Sequence, residues 1–268
     1  MNSPYRTVLL FFGSFVVLIT ISQRLLAQAA GRDSTPVQLL LVEGNEFAEN
    51  LFDNHRALTK YMEALALEPG NHEILWRISR CYVDIGEHLP TSTDAEKAFQ
   101  LETYEKALEY ANKAIAANPR ASMGYTRRAI ANGRIALFSG VWGSIDLAKQ
   151  TRADLETALE LDPMSAAAHY VMGRTHAKVS EKPKILRWPL GLSWASLEDA
   201  VKHYERAISL RPDFILYRLD CARAYYELDE YEKAREQLRT IETLPTGDED
   251  DDQFRREAKE LWEKMREE

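Results

Sequence analysis

Apolar and polar residues follow a helical period along most of the chain, and the pattern recurs. Four segments end alike, with an alanine five positions before a proline: residues 64–69, 114–119, 158–163 and 207–212. A fifth, shorter copy contains Tyr225, Ala234 and Leu238 and ends near Pro245. Recurrence of one helical unit along a chain predicts an array of stacked repeats.

Small and large residues at fixed offsets predict closely packed helical hairpins. Three copies carry a second alanine twelve positions before the proline (Ala57, Ala107 and Ala200), and Tyr61 and Tyr204 lie eight before it. Bulky residues follow the prolines by about thirteen positions: Tyr82, His176 and Tyr225. Alanine lets two helices approach, large side chains fill the gap, and proline ends the second helix.

One hairpin cannot bury its apolar stripe alone, so the copies must stack. We therefore predict an all-α protein, a right-handed superhelix of about five irregular hairpins over residues 38–247. Asp248–Asp252 is a run of five acids, and Phe254, Ala258, Leu261 and Met265 follow at helical spacing. Residues 248–268 are thus predicted to form an acidic helix start and a capping helix, since negative charge is favoured at a helix N-terminus.

The pattern resembles the tetratricopeptide repeat, and the resemblance covers residues 38–245. The family's period is 34 residues. Here successive prolines are 50, 44 and 49 residues apart, at positions 69, 119, 163 and 212. The middle repeats therefore hold extra residues, which we place at 88–94 (with Asp94 capping the next helix), at 139–144 and at 179–196.

A narrower resemblance rests on these irregular spacings, on residues 76–80 and 104–111, and on the basic segment with two tryptophans in the fourth copy. Together they resemble the regulator of microtubule dynamics proteins over about residues 70–265. That resemblance implies a tetratricopeptide fold, protein partners and, for one member, phospholipid binding and transfer.

The N-terminus departs from that family. Val8–Ile21 is an uncharged run of 14 residues, shorter than the roughly 20 that a membrane-spanning helix needs. Ala27 and Ala29 form a small-x-small box of the kind that signal peptidases cleave. We predict a signal peptide over residues 1–29, a linker over 30–37 and an exported, periplasmic or secreted protein, which indicates a bacterial relative.

The alternative for this segment is an uncleaved membrane anchor through residues 8–21, with a tilted or short span. The two interpretations differ in whether residues 1–29 remain on the mature chain.

Charge and motifs exclude several functions. The 268 residues carry 34 Lys and Arg against 42 Asp and Glu, a net charge of −8, which disfavours nucleic acid as a partner. No phosphate-binding loop, nucleophile elbow or His-Glu-x-x-His motif occurs. His169 and His176 are spaced to share a helix face, but we expect them to pack the hairpin. No catalytic residue, cofactor or metal site is predicted.

The first helix of each tetratricopeptide hairpin lines a concave groove. Aligned by the prolines, Arg80, Ile130, Arg174 and Arg223 occupy one equivalent position. Arginine engages carboxylates and phosphates in a bidentate way, so this row predicts an anion-binding surface. The predicted groove residues are Trp76, Arg80, Arg134, Tyr170, Arg174, Lys178, Arg223 and Tyr226. The alternative is that the arginines pair within the stack, with Glu73, Asp84 or Glu227.

The segment 178–196 is basic and aromatic. Its four cations face one acid, Glu181, and apolar residues are interleaved with them. The combination suggests a membrane interface or a lid over a ligand, for which the candidate residues are Lys182, Lys184, Arg187, Trp188 and Trp194. The alternative is that the two tryptophans fill a widened hairpin.

These observations predict a non-catalytic scaffold that binds a protein or peptide with acidic groups in its groove. The alternative is a module that binds or transfers an anionic phospholipid, with the head group in the groove and the 178–196 segment over the acyl chains. A continuous apolar cavity beneath that segment would favour lipid, and an open groove would favour peptide.

Overall fold

A computed structural model of the chain describes residues 35–267. The predicted signal peptide or anchor, and nearly all of the predicted linker, lie outside the described residues. Within residues 35–267, no helix combines the length and the apolar character needed to cross a bilayer.

The described part of the chain contains twelve α-helices and no strand. In chain order they are α1 (Pro36–Asn45, extended by a π-helical turn, Glu46–Asn50), α2 (Asn54–Leu67), α3 (His72–Glu87), α4 (Asp94–Ala117), α5 (Ser122–Ile135), α6 (Val141–Leu161), α7 (Ala166–Ser180), α8 (Lys184–Arg187, followed by a 3-10 turn, Trp188–Leu190), α9 (Leu197–Leu210), α10 (Ile215–Glu227), α11 (Tyr231–Ile241) and α12 (Asp251–Glu267).

The helices pair into five hairpins: α1 with α2, α3 with α4, α5 with α6, α7 with α9, and α10 with α11. Successive first helices also touch, α3 against α5, α5 against α7, and α7 against α10. Helix α12 packs on α10 and α11. The predicted all-α repeat superhelix with a capping helix is confirmed. The first hairpin begins at Pro36, inside the segment predicted as a linker.

The alanines that mark each repeat lie where the two helices of a hairpin touch. Ala57, Ala107, Ala158 and Ala200 are each 0% exposed. A larger side chain has no room at such a contact, and overpacking a core costs about 1–3 kcal/mol.

A second repeated contact joins a glycine on the first helix of a hairpin to a tyrosine on the second. A Cβ built on Gly44 would lie 2.4 Å from the ring of Tyr61, and one on Gly173 would lie 2.7 Å from the ring of Tyr204. Gly86 and Tyr104 repeat the arrangement at 2.5 Å. The tyrosine ring therefore fills the space that the missing side chain leaves.

Local capping sets where the long helix α4 begins. Thr93 is its N-cap: the hydroxyl accepts from the backbone N–H of Glu96, and the Glu96 carboxylate accepts from the N–H of Thr93. This reciprocal box satisfies two backbone donors at once. Asp94, predicted as the cap, is instead the first residue of the helix.

The acidic loop, residues 247–250, connects the last hairpin to α12 and reaches the first two hairpins. The Asn54 amide Nδ2 lies 3.4 Å from Glu249 Oε2, and the His88 ring Nε2 lies 3.2 Å from Asp250 Oδ1. The loop is not merely a solvated helix start, as its sequence suggests, because it joins the two ends of the repeat stack.

Candidate functional site: the concave surface

The concave surface is formed by the first helices of the second to fifth hairpins, α3, α5, α7 and α10, with the acidic loop beside them. Most arginines predicted to line it are present there, but each has an acidic neighbour. Acids from other hairpins reach them, so the surface carries closely interleaved charges of both signs.

Arg80 links the first two hairpins. Its Nη1 lies 3.0 Å from Glu49 Oε1 and its Nε lies 3.3 Å from Asp84 Oδ2. Asp84 is one of the partners expected if the arginines pair within the stack. Glu73, another expected partner, instead accepts from Arg77 and from the Trp76 indole.

Arg134 forms an ion pair with Glu87, the last residue of α3. Burial raises the pKa of the Glu87 carboxyl, and the Arg134 charge opposes that effect. The pair joins α5 to α3, so it stabilises the packing of the second hairpin on the third.

Asp220 on α10 lies between the other two aligned arginines. Its carboxylate accepts from the Tyr170 hydroxyl at 2.8 Å and from Arg223 Nη1 at 2.8 Å, and Arg174 Nε lies 3.6 Å away. Arg223 also pairs with Glu257 of α12. Asp220 is only 9% exposed, and these three side chains compensate the loss of water around its carboxylate.

Arg127, which the alignment did not single out, differs from the other arginines. Its Nε is buried and has no hydrogen-bond partner among residues 35–267, and its guanidinium lies 5.5 Å from the centre of the Trp76 ring. Burial, and secondarily the charge of Arg80, lower its pKa to about 10. Asp84 and Tyr217 act in the opposite direction.

The sequence did contain a signal for Arg127. It lies three residues, one helical turn, before Ile130, the position that breaks the arginine row in the third hairpin. Residues three apart share a helix face. The cation expected at Ile130 is therefore supplied one turn earlier.

The predicted aromatic residues have separate environments. Trp76 stacks with two guanidiniums, those of Arg77 at 4.1 Å and Arg127 at 5.5 Å. Tyr170 is 7% exposed and its ring stacks on that of Tyr217 at 4.4 Å. Tyr226 contacts the capping helix, with Lys264 Nζ 4.5 Å from its ring centre. Trp76 is thus the predicted aromatic residue that adjoins Arg127.

Lys178 lies at the end of α7 and pairs with Glu181 at 2.9 Å. Its side chain is 69% exposed, so this pair holds it only weakly. It lies just before the inserted segment and is not part of the cluster around Arg127.

The inserted segment, residues 181–196, divides the predicted membrane or lid residues into two groups. Arg187 is 6% exposed and donates to the backbone carbonyls of Lys182, Leu192 and Ala195 at 2.7–2.9 Å. A guanidinium held in this way cannot contact a membrane, so its role is to organise the segment.

The two tryptophans of the inserted segment also differ. Trp194 packs edge-on against His176, and Arg152 lies over its ring at 4.6 Å, so it fills the hairpin. Trp188 is 74% exposed and fills nothing. Lys182 and Lys184 are exposed on the same segment.

Three histidines cluster between α7 and α9. His169 Nδ1 lies 3.1 Å from His203 Nδ1, and the His176 ring stacks on that of His203 at 5.7 Å. Burial, followed by the two neighbouring imidazoles, lowers the pKa of His203 to about 4. Within the described residues no group of His, Cys, Asp and Glu has the geometry of a metal site. The histidines pack the hairpin.

A cleft of about 380 Å³ opens beside the inserted segment. Its walls carry Arg152, Glu156, Glu160, His176 and His203 together with Leu159 and Met172. Charged, polar and apolar side chains therefore line this cleft together, and none of its lining residues belongs to the inserted segment.

Comparison with known proteins gives a family and a fold. The family model described as regulator of microtubule dynamics protein 1-3 matches residues 40–266. Regulator of microtubule dynamics protein 1 of Bos taurus is 27% identical over 276 residues, which cover 97% of this chain and 83% of the bovine protein. Protein 3 of Rattus norvegicus is 25% identical over 233 residues. This match covers 84% of this chain and 48% of the rat protein, so the chain spans about half of that relative.

Among solved structures, a thermophilic tetratricopeptide-repeat protein of Thermus thermophilus aligns with a TM-score of 0.63 and 20% identity. The alignment covers 84% of this chain and 98% of that protein. At this level of identity the similarity establishes the tetratricopeptide architecture.

Proposed function

Because the chain belongs to the regulator of microtubule dynamics family, we propose that it is a non-catalytic scaffold whose concave surface binds a protein or peptide segment carrying carboxylates. A tetratricopeptide fold suggests a protein-interaction scaffold. The relatives reported above are described as regulators and as a tetratricopeptide protein, and none is described as an enzyme.

The observation that carries the proposal is the guanidinium of Arg127, whose buried Nε has no partner within residues 35–267. A buried donor without a partner costs free energy, about 1–3 kcal/mol and more for a charged group. The neighbouring arginines have carboxylates beside them, whereas Arg127 has the aromatic face of Trp76. The Arg127 side chain as a whole is half-buried, so a partner's carboxylate would approach its terminal nitrogens rather than Nε and form a charge-assisted hydrogen bond, roughly twice as strong as a neutral one.

The same surface selects against a strongly basic partner. Asp84, Glu87 and the acidic loop are already engaged by cations of the chain. A ligand lysine would have to compete with those intramolecular pairs, whereas a ligand carboxylate would meet the half-buried Arg127 guanidinium, which lies against Trp76.

The phospholipid alternative is less well supported. An acyl chain needs a continuous apolar enclosure beneath the inserted segment. The cleft beside that segment has Leu159 and Met172 in its walls, but also the charged Arg152, Glu156 and Glu160. Burying a chain against charged walls leaves those groups poorly solvated. A peptide on an open, charged surface meets no such cost.

The test is selection of a randomised peptide display library on the full-length chain. We expect enrichment of sequences with Asp or Glu, and loss of that enrichment for Arg127→Gln, which keeps length and removes charge. Arg120→Gln, at an exposed turn, is the matched control and should behave as the wild type. Selection of basic or purely apolar peptides, or equal selection by Arg127→Gln, would reject the proposal.

A further inference from the structure

The four most exposed large hydrophobic side chains of the described residues lie at two helix-to-helix turns. Val141 and Trp142 are both 75% exposed where α6 begins. Ile185 and Trp188 are 81% and 74% exposed in the inserted segment. Leu137 at 66% and Leu186 at 60% extend the two groups. Exposed apolar groups of this size mark interaction surfaces.

One turn connects the two helices of the third hairpin, and the other connects the two helices of the fourth. Equivalent turns of consecutive hairpins lie on the same edge of the stack. Contacts with α6 bring them together. A Cβ on Gly191 would lie 3.6 Å from Lys149 Cε. Trp142 is seven residues before Lys149, two turns or about 10 Å away on the same helix face.

Internal bonding holds the inserted segment in this orientation. The Arg187 guanidinium donates to the carbonyls of Lys182, Leu192 and Ala195, and Leu192 and Ala195 are buried. Gly191, with a φ of +71°, ends the 3-10 turn in a conformation that other residues rarely adopt. The exposed side chains of the segment are therefore kept outward by buried neighbours.

Positive charge accompanies the apolar groups. Lys182 and Lys184 are exposed beside Ile185, and Lys149 is exposed beneath Gly191. Glu181, the acid of this segment, pairs with Lys178. Asp146 is exposed on α6 between Trp142 and Lys149, so the edge carries three exposed lysines against one further acid and is locally cationic in a chain whose net charge is −8.

We propose that this apolar edge, residues 137–142 with residues 182–190, docks on the surface of an anionic lipid bilayer. Tryptophan favours the boundary between head groups and acyl chains, and lysine beside it is attracted to anionic head groups. A protein partner would be expected to contact the paired charges of the concave surface as well, whereas a flat bilayer needs only an edge. The concave surface stays open in this orientation.

The experiment uses the full-length chain with unilamellar vesicles of phosphatidylcholine, with and without phosphatidylglycerol. Tryptophan quenching by brominated phospholipid reports on this edge, because residues 1–34 contain no tryptophan and their own insertion gives no signal. We expect quenching on anionic vesicles, and loss of most of it in the Trp142→Phe/Trp188→Phe variant.

Partition onto anionic vesicles should fall about tenfold or more for Lys182→Glu/Lys184→Glu, because each basic residue near such a surface contributes to attraction. Leu67→Ser/Met164→Ser removes side chains that are 56% and 60% exposed at the opposite edge, and should bind within about twofold of the wild type.

Quenching that is unchanged in the double phenylalanine variant would overturn the proposal, and so would partition that is insensitive to the lysine substitutions. Analytical ultracentrifugation of the wild type tests the competing explanation, self-association through this edge. A dimer that Trp142→Ser/Trp188→Ser converts to a monomer, without an effect on vesicle binding, would assign the edge to self-association instead.

Discussion

The His88 ring Nε2 and Asp250 Oδ1 lie 3.2 Å apart although 162 residues separate them in the chain. His88 ends the first helix of the second hairpin, and Asp250 precedes the capping helix. The other ring nitrogen of His88, Nδ1, lies 2.8 Å from the Asp84 carbonyl oxygen and 3.8 Å from Glu249 Oε2. Burial alone would lower the pKa of His88, but these acceptors outweigh it and the pKa is raised.

This contact should weaken as the pH rises. A group whose pKa is higher in the folded protein contributes stability that is complete below the unfolded value, about 6.5 for histidine, and is lost above it. Burial also raises the pKa values of Asp248 and Glu249. The stability of the folded loop is therefore also lost as these two carboxyls deprotonate, over a pH range below that of His88.

The measurement is hydrogen exchange of the acidic loop as a function of pH, with the intrinsic exchange rate divided out. Protection of residues 247–250 should fall between about pH 6 and 8 in the wild type. His88→Gln should show less protection throughout and no such fall. Equal pH dependence in the two proteins would mean that His88 does not control the contact.

Arg127→Met should stabilise the isolated chain. The substitution keeps a long side chain beside Trp76 and removes a buried donor without a partner, which is worth about 1 kcal/mol or more in unfolding free energy. The adjacent residue gives a matched control. Arg128 forms two bonds to Asp154, at 2.8 and 2.6 Å, and the Asp154 side chain is 3% exposed.

Arg128→Met should therefore destabilise the chain, because the buried Asp154 carboxylate loses the neutralising cation and keeps only the hydrogen bond from Gln150. In urea denaturation, the unfolding free energy should rise for Arg127→Met and fall for Arg128→Met. A loss of stability in both would imply that Arg127 has a partner within the chain.

The ion pair between Arg223 and Glu257 should contribute modestly to the attachment of the capping helix. In a double-mutant cycle with Arg223→Gln and Glu257→Gln, we expect a coupling energy of about 0.5–1 kcal/mol, since both side chains are partly exposed. Coupling near zero would show that this ion pair does not contribute to holding the capping helix.

Ala158→Leu should destabilise the third hairpin by about 1–3 kcal/mol, because Ala158 is completely buried where α6 touches α5. Ala153→Leu is the control, since that alanine is exposed on the same helix. Thermal denaturation should separate the two variants, and equal melting temperatures would contradict the helix packing.

The mature chain should begin at Ala30 if residues 1–29 are a signal peptide. N-terminal sequencing of the exported protein gives the answer directly. An intact Met1 on membrane-bound protein would establish the anchor through residues 8–21 in place of cleavage.

The local features of the fold could be predicted because their causes are local in sequence. The alanine offsets, the prolines and the apolar stripe of α12 each act within one hairpin or on its neighbour. The close approach of Gly44 to Tyr61 was missed, because such glycine–tyrosine pairs keep no fixed spacing: the two residues are 17 apart here, but Gly173 and Tyr204 are 31 apart.

The partners of the groove arginines could not be predicted from spacing. Asp220 and Glu257 reach Arg174 and Arg223 from other helices, and which acid arrives depends on how the irregular repeats rotate on one another. Arg187 shows the same limit. In the sequence it is one more cation beside Lys182 and Lys184, and only the fold of the inserted segment distinguishes it.

The contacts of the acidic loop with Asn54 and His88 change the expected order in which the repeats unfold. An open repeat array touches only its neighbours, so its terminal units unravel first and independently. Here the loop before the last helix also contacts the first two hairpins, so those hairpins cannot separate from the C-terminal unit without breaking these contacts. Unfolding should therefore approach a single cooperative transition in which the N-terminal and C-terminal hairpins are lost together.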